Sequence, residues 1–382
     1  MDGIRQASRL VEAVVASGAL GHVVGALELD DDPLVLVDIG CGLGIDAPWR
    51  CFGKDLRAFG FDPNLGEIER LRAAETHPGV EYQAGWVGLP PGDPFLREKG
   101  DRGHWGRNPW DRLSVSATGS AAVVSEAELA EQNRWHEARL ADRSCRIDLS
   151  DQFSSSGVEG PDFVKLDVDG PDFEILMSIG PLLEDGHILG IGTEINFFGS
   201  SAPTDHTFHN TDRFLKARGF ELFALSTRKY STAALPARFV HPHPDESING
   251  RVFQGDALYF RDLANPEHRP VLDRARPAQL LKLACLFDLC ELADCAAEIL
   301  LIARDRIEPI VPVERLLDAL VPDPWNGKLS YREYLNRFDG GDPMFFPPGQ
   351  PANEESTPSP AILGGSRWRN WRARYRARRH SS

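Results

Sequence analysis

An apolar run from Pro33 to Val37 ends on Asp38 and breaks after Ile39 into Gly40-Cys41-Gly42-Leu43-Gly44. A buried strand closed by a carboxylate and followed by a G-x-G-x-G turn leaves few folds open. Glycine removes the Cβ where a chain reverses sharply and where backbone has to touch a ligand. The spacing also discriminates between ligands. Dinucleotide-binding turns run G-x-G-x-x-G, whereas position 45 is Ile and Gly44 falls one residue early. The acidic-x-G-x-G-x-G form suits S-adenosylmethionine better than NAD. Asp38, Gly40, Gly42 and Gly44 are therefore candidate cofactor-binding residues, and an ordinary tight loop is the competing reading.

A second carboxylate joins them. Ala58-Phe59-Gly60-Phe61 reads as the next strand and ends on Asp62, 18 residues after Gly44. That is near the spacing of about 20 residues at which an acidic side chain grips ribose hydroxyls. The alternative is that Asp62 opens the Asp62-Pro63-Asn64 turn and caps the following helix. The two roles are compatible.

Strands and helices then alternate. Ile4 to Ala16 has apolar residues at helical spacing. Strands are expected at 33–38, 57–61 and 79–84, with a short helix after the glycine turn and a helix at 64–75. Residues 90–145, rich in Gly, Pro, Trp and charge, interrupt the rhythm as an insertion or lid. It resumes with a fourth strand in 161–170 and a helix that starts at Pro171 and stops at Gly180-Pro181. Further strands are expected at 189–193, 220–225 and 256–261, with a helix at 211–218. The pattern predicts an α/β, doubly wound, seven-stranded Rossmann-like sheet in residues 1–264. Leu280, Leu281, Ala284, Phe287, Leu292, Ala296, Leu300 and Leu301 repeat at helical spacing, so 270–338 reads as a C-terminal helical appendage. Residues 339–382 read as a disordered linker and tail.

Composition excludes several classes. The 382 residues are 42% hydrophobic with eight Trp, which indicates a globular body. No run of 18 apolar residues suggests a membrane span. The start lacks the layout of a secretory signal, so a cytoplasmic location is expected by default. None of the six cysteines forms a C-x-x-C pair, and they read as buried hydrophobes. The chain carries a net charge of −15, although residues 366–382 contain seven Arg and no acid. The rest is more acidic still and a poor surface for nucleic acid.

Four segments together resemble the FkbM-type S-adenosylmethionine-dependent methyltransferases. They are Val37–Gly44, Asp62-Pro63-Asn64, the run Phe163-Val164-Lys165-Leu166-Asp167-Val168-Asp169-Gly170 with Phe173-Glu174-Ile175-Leu176 behind it, and Thr193-Glu194-Ile195-Asn196. The family usually has K-I-D-V-E-G where this chain has 165–170, a mild departure. Ile147-Asp148-Leu149 is similar to an element that precedes that strand. The likeness spans roughly residues 30–262. It implies the class I methyltransferase fold and transfer of a methyl group to a hydroxyl, often on a sugar, glycan or other polyhydroxylated metabolite.

An alcohol acceptor must lose a proton, so a base or a metal is expected. Asp167, Glu194 and Asn196, at the ends of neighbouring strands, are candidate magnesium ligands by analogy with catechol-type O-methyltransferases. Otherwise Asp167 holds the cofactor's amino group. The loop Asp205-His206-Thr207-Phe208-His209 supplies candidate bases, with His206 preferred because Asp205 and Thr207 flank it and His209 three residues on. Trp368, Trp371 and Tyr375 align on one helical face among the arginines of the tail, as a membrane anchor or partner-docking segment would. The competing activities are an NAD-linked oxidoreductase and a catalytically silent cofactor-binding scaffold.

Overall fold

The computed structural model describes residues 19–25, 32–90, 92–99, 113–115, 121–123, 146–168, 170–230, 250–322 and 327–342. The expected helix at 4–16, most of the 90–145 insertion, Asp169, the linker at 347–365 and the basic tail lie outside the described residues.

Seven strands build the principal sheet. They are β1 (Leu34–Ile39), β2 (Leu56–Asp62), β3 (Val80–Ala84), β4 (Phe163–Leu166), β5 (Gly190–Asn196), β6 (Glu221–Tyr230) and β7 (Arg251–Phe260). Their spatial order is β3-β2-β1-β4-β5-β7-β6. The pairs β2/β3, β1/β4 and β4/β5 are parallel, and β7 runs antiparallel between β5 and β6. This is the class I methyltransferase version of the doubly wound fold. Strand order reverses between β1 and β4, and ligands of open α/β sheets bind outside the strand ends at such a switch point.

All six residues of β1 are buried, as expected for a parallel strand covered on both faces. Side chains alternate across the sheet. Val35, Val37 and Ile39 join Phe59, Phe61, Val164, Leu166, Ile191 and Ile195 in the core. Helix α1 (Ala19–Gly25) precedes β1 in sequence, α2 (Leu65–Ala74), α3 (Asp172–Ser178) and α4 (Phe208–Lys216) follow β2, β4 and β5, and Phe173, Leu176 and Leu215 reach this core from α3 and α4. Asp38 alternates onto the other face, where its register partner on β4 is Lys165.

Several boundaries differ from the sequence reading: α4 starts at Phe208 and not at 211, and β5 runs on to Asn196. Gly180-Pro181 opens a second short helix, Gly180–Glu184, because proline fits a first turn as readily as it ends one. The β6/β7 hairpin runs ten residues on each strand. Of the added segments, Ser226–Tyr230 is largely polar, and neither it nor Arg251–Gly255 carries apolar alternation; cross-strand pairing is what extends them.

The described chain divides into two compact units. The sheet unit comprises Val35–Ile45 and Arg57–Asp262. The helical unit takes the described residues of Met1–Leu34, Asp46–Leu56 and Leu263–Arg369. It therefore includes the 3-10 helix Ala47–Asp55, which joins the glycine turn to β2 in sequence. Within it, the helix Pro277–Leu289 is buried at every position from Leu280 onward, and Asp288 accepts the N–H of Leu20 at 2.9 Å. Cys285 and Cys51 are buried cysteines of this unit. Among the described residues no helix is long and apolar enough to cross a membrane.

Lys165 Nζ donates to Asp38 Oδ1 at 2.9 Å, with both side chains at most 2% exposed. Lys165→Met leaves a buried carboxylate without its cation and is expected to cost about 3–5 kcal/mol in urea unfolding. The double variant Asp38→Leu/Lys165→Met is expected to recover most of that loss, and equal instability of single and double variants would refute the pairing argument.

Candidate active site

The site is assembled from the backbone of Gly40. β1 ends at Ile39, and Gly40 turns in the left-handed region at φ 91°. Its N–H and that of Cys41 both donate to Phe61 O, at 2.8 and 3.2 Å. The turn is thereby tied to the end of β2, one residue before Asp62. A Cβ at position 40 would overlap the main-chain oxygen of Asp167, which follows β4. Gly40 thus brings the ends of β1, β2 and β4 together through backbone alone. The turn then closes through Gly44 N–H on Cys41 O at 2.7 Å and Ile45 N–H on the Tyr82 hydroxyl at 3.0 Å. Among the described residues, the N–H groups of Gly42 and Leu43 meet no hydrogen-bond acceptor.

Three carboxylates expected at this end of the sheet have different surroundings. Asp62 is half-buried, and its Oδ1 accepts from Asn64 N–H at 2.8 Å. Asn64 in turn caps α2 by accepting from Glu67 N–H. The turn role of Asp62 is therefore present, and a carboxylate retains acceptor capacity for a ribose hydroxyl as well. Asp167 is half-buried beyond β4, and its N–H donates to Ile39 O at 3.0 Å. Asp38 is 1% exposed and engaged by Lys165, so it serves the sheet beneath the turn and presents no open face to a ligand. Burial pushes its carboxyl up, and the Lys165 ammonium pulls it back.

The expected magnesium set does not form. Glu194 is 3% exposed and its Oε1 accepts from the Arg228 guanidinium at 2.7 Å. Asn196 Oδ1 accepts from Gln254 Nε2 at 3.1 Å. Glu194 Oε1 and Asn196 Oδ1 are thus engaged by donors from β6 and β7. No cluster of three or more His, Cys, Asp or Glu among the described residues has a metal-holding arrangement. Spacing placed the ligands at strand ends but could not show which cross-strand partners stand opposite.

His206 also departs from its expected role. The side chain is buried, with Nε2 3.0 Å from Glu194 O and Nδ1 3.1 Å from Gly170 O. An imidazole held between two main-chain carbonyls braces the loop after β4 against β5 and is not presented as a base. Its flanking residues do not orient it. Asp205 Oδ2 accepts from the N–H and hydroxyl of Ser200, and Thr207 caps α4. His209 does not share its setting, being exposed on the first turn of α4. The loop containing His241 and His243 lies outside the described residues.

Asp172, Arg228 and Gln254 were not singled out from the sequence. Asp172 is fully buried at the start of α3, where it accepts from the N–H groups of Val168 and Gly170 at 3.3 and 3.2 Å. Burial raises its carboxyl well above the usual range, helped by the charges of Glu194 and Asp167 and opposed by those two N–H groups. A carboxylate following Pro171 at a helix start was the available signal.

No family model and no curated protein sequence matches the chain. Solved structures that resemble it include the precorrin-6y C5,15-methyltransferase of Geobacter metallireducens, with a TM-score of 0.27 at 11% identity, covering 63% of this chain and 86% of that one. Magnesium protoporphyrin IX methyltransferase from Synechocystis with bound SAM gives 0.26 at 12%, covering 63% and 77%. A putative S-adenosylmethionine-dependent methyltransferase from Listeria monocytogenes gives 0.29 at 10%, covering 64% and 98%. Likeness this distant says nothing about the acceptor.

The raised Asp172 carboxyl has a signed consequence. Its stabilising contribution is fully present below the unfolded value of about 3.9 and is lost as pH rises through the folded value. Relative to wild type, Asp172→Asn is expected to gain stability as pH is raised from about 4. Chemical denaturation across pH checks this, and a stability difference that does not vary with pH would reject it.

Proposed function

We propose that the chain is an S-adenosylmethionine-dependent methyltransferase whose acceptor is a hydroxyl of a sugar, glycan or similar polyhydroxylated metabolite. The meeting of strand ends at Gly40 is the observation that supports the cofactor assignment. It sets a turn whose Gly42 and Leu43 N–H groups meet no acceptor among the described residues next to the ends of β2 and β4. The residues present fit the methyl donor. Asp62 would accept from its ribose hydroxyls, Asp167 from its ammonium, and the Gly42 and Leu43 N–H groups would meet its carboxylate. When bound, this cofactor supplies a methyl group activated on sulfonium, with a neutral thioether as leaving group.

The remaining work belongs to the protein. An acceptor oxygen has to be held about 3–3.5 Å from the methyl carbon and relieved of its proton. His206 is enclosed by Gly170 O and Glu194 O, so in this reading it positions the two loops. Of the two histidines of this loop, His209, open to solvent on α4, is the one assigned to take the proton. No step is assigned to magnesium, because Arg228 and Gln254 engage Glu194 Oε1 and Asn196 Oδ1. The hydroxyl acceptor rests on the family resemblance of the 163–170 and 193–196 segments. The tail at 366–382 is proposed, on its arginines and aromatics alone, to meet an anionic membrane surface or a protein partner.

Titration calorimetry is expected to show binding of S-adenosylhomocysteine and none of NADH, with Asp62→Ala weakening the former about 10- to 100-fold. Wild-type protein that binds NADH, or that ignores S-adenosylhomocysteine, would sink the cofactor assignment. Methyl transfer across a panel of sugar hydroxyls is expected to survive EDTA. His209→Ala is expected to lower kcat by about 10²–10⁴, and near-normal turnover would exclude it as the base.

A further inference from the structure

The glycine turn is anchored at both ends. Its entry is tied to Phe61 O through Gly40 and Cys41. Its exit is tied to a side chain of β3, since Ile45 N–H donates to the Tyr82 hydroxyl at 3.0 Å. That hydroxyl donates onward to Glu75 Oε2 at 3.1 Å. Glu75 is the C-cap of α2, and its Oε1 is held by the N–H groups of Thr76 and His77 at 2.9 and 2.7 Å. The acceptor at the far end of this relay is therefore fixed by its own backbone turn.

Two glycines make room for the tyrosine. Gly60 faces Tyr82 across the β2/β3 ladder, and a Cβ there would lie 2.6 Å from Tyr82 Cδ1 and 2.8 Å from Cys41 Sγ. Glycine weakens a strand interior and marks a close approach where it occurs. Gly44, at φ 86°, would bring a Cβ within 3.1 Å of the Tyr82 hydroxyl and 3.0 Å of Leu71 Cδ2. The phenol is 6% exposed and is further located by Arg72 Nε, which donates to Tyr82 O at 2.8 Å. A rigid ring thus carries the position of β3 across β2 to the end of the turn. Gly42 and Leu43, whose N–H groups meet no acceptor among the described residues, lie between the two anchors.

We propose that Tyr82, backed by Glu75, is a positioning residue that holds the Gly42 and Leu43 N–H groups in the geometry that receives the methyl donor. The inference rests on the assignment of that turn to S-adenosylmethionine. Without the hydroxyl, Ile45 N–H has no acceptor, and the exit of the turn relaxes while its entry stays on Phe61 O. The effect should therefore fall on cofactor affinity more than on global stability.

Tyr82→Phe tests this, because it keeps the ring against Gly60 and removes only the hydroxyl. Amide hydrogen exchange of the protein without cofactor is expected to accelerate at Ile45 and to stay unchanged at Val37 in β1. S-adenosylhomocysteine affinity by calorimetry is expected to fall about 3- to 10-fold, with the midpoint of thermal unfolding close to wild type. Wild-type protein that fails to bind S-adenosylhomocysteine overturns the cofactor assignment and this inference with it. Wild-type binding with equal affinity in Tyr82→Phe overturns the inference alone, as does a fall in affinity matched by a general loss of exchange protection.

Discussion

A lysine and an aspartate face one another on neighbouring parallel strands, out of reach of water. Burying two charges costs several kcal/mol per ion in desolvation, and the attraction between them repays this only when geometry is good. Asp38 and Lys165 are therefore poor stabilisers compared with two leucines, but they are strong constraints on register. A one-residue slip of β4 against β1 would turn Lys165 onto the opposite face and leave Asp38 buried without its partner. With the pair in place, the next position along the two strands, Ile39 with Leu166, is set, and Gly40 then meets the Asp167 carbonyl. The approach of Gly40 to the Asp167 carbonyl, on which the candidate cofactor site depends, follows from that alignment.

Beyond the turn, the ends of β4 and β5 are held by a polar layer. His206 ties Gly170 to Glu194 through main-chain oxygens, Arg228 takes the Glu194 carboxylate, and Gln254 takes Asn196. Buried polar groups are costly unless paired, so a layer of this kind tends to adopt one arrangement. It holds the loop after β4 against β5. It also removes Glu194 and Asn196 from consideration as an open metal site and His206 as an accessible base.

Much of the fold was legible in the chain. The strands at 34–39, 56–62, 80–84 and 163–166 and the helix at 65–74 stood out through apolar periodicity and punctuating Gly, Pro and Asn. The length of the β6/β7 hairpin was not legible, because Ser226–Tyr230 is polar and its strand character comes from the facing residues of β7. For the site, the glycine turn, Asp62 and Asp167 could be picked out, since strand-end position is a local property. The partners of His206, Glu194 and Asn196 could not, because Gly170, Arg228 and Gln254 are separated from them by 36, 34 and 58 residues.

By itself, then, the sequence determined the α/β class, the place of the glycine turn and the carboxylates that close the strands. Each of these depends on interactions within a few residues. Only the tertiary structure decided what those groups face. It committed Asp38 to Lys165, closed Glu194 and His206 inside a polar layer, and put the Tyr82 hydroxyl beneath Ile45. The reason is that hydrogen-bond acceptors and countercharges are chosen by cross-strand register and strand order, and neither is written in the spacing of any one segment.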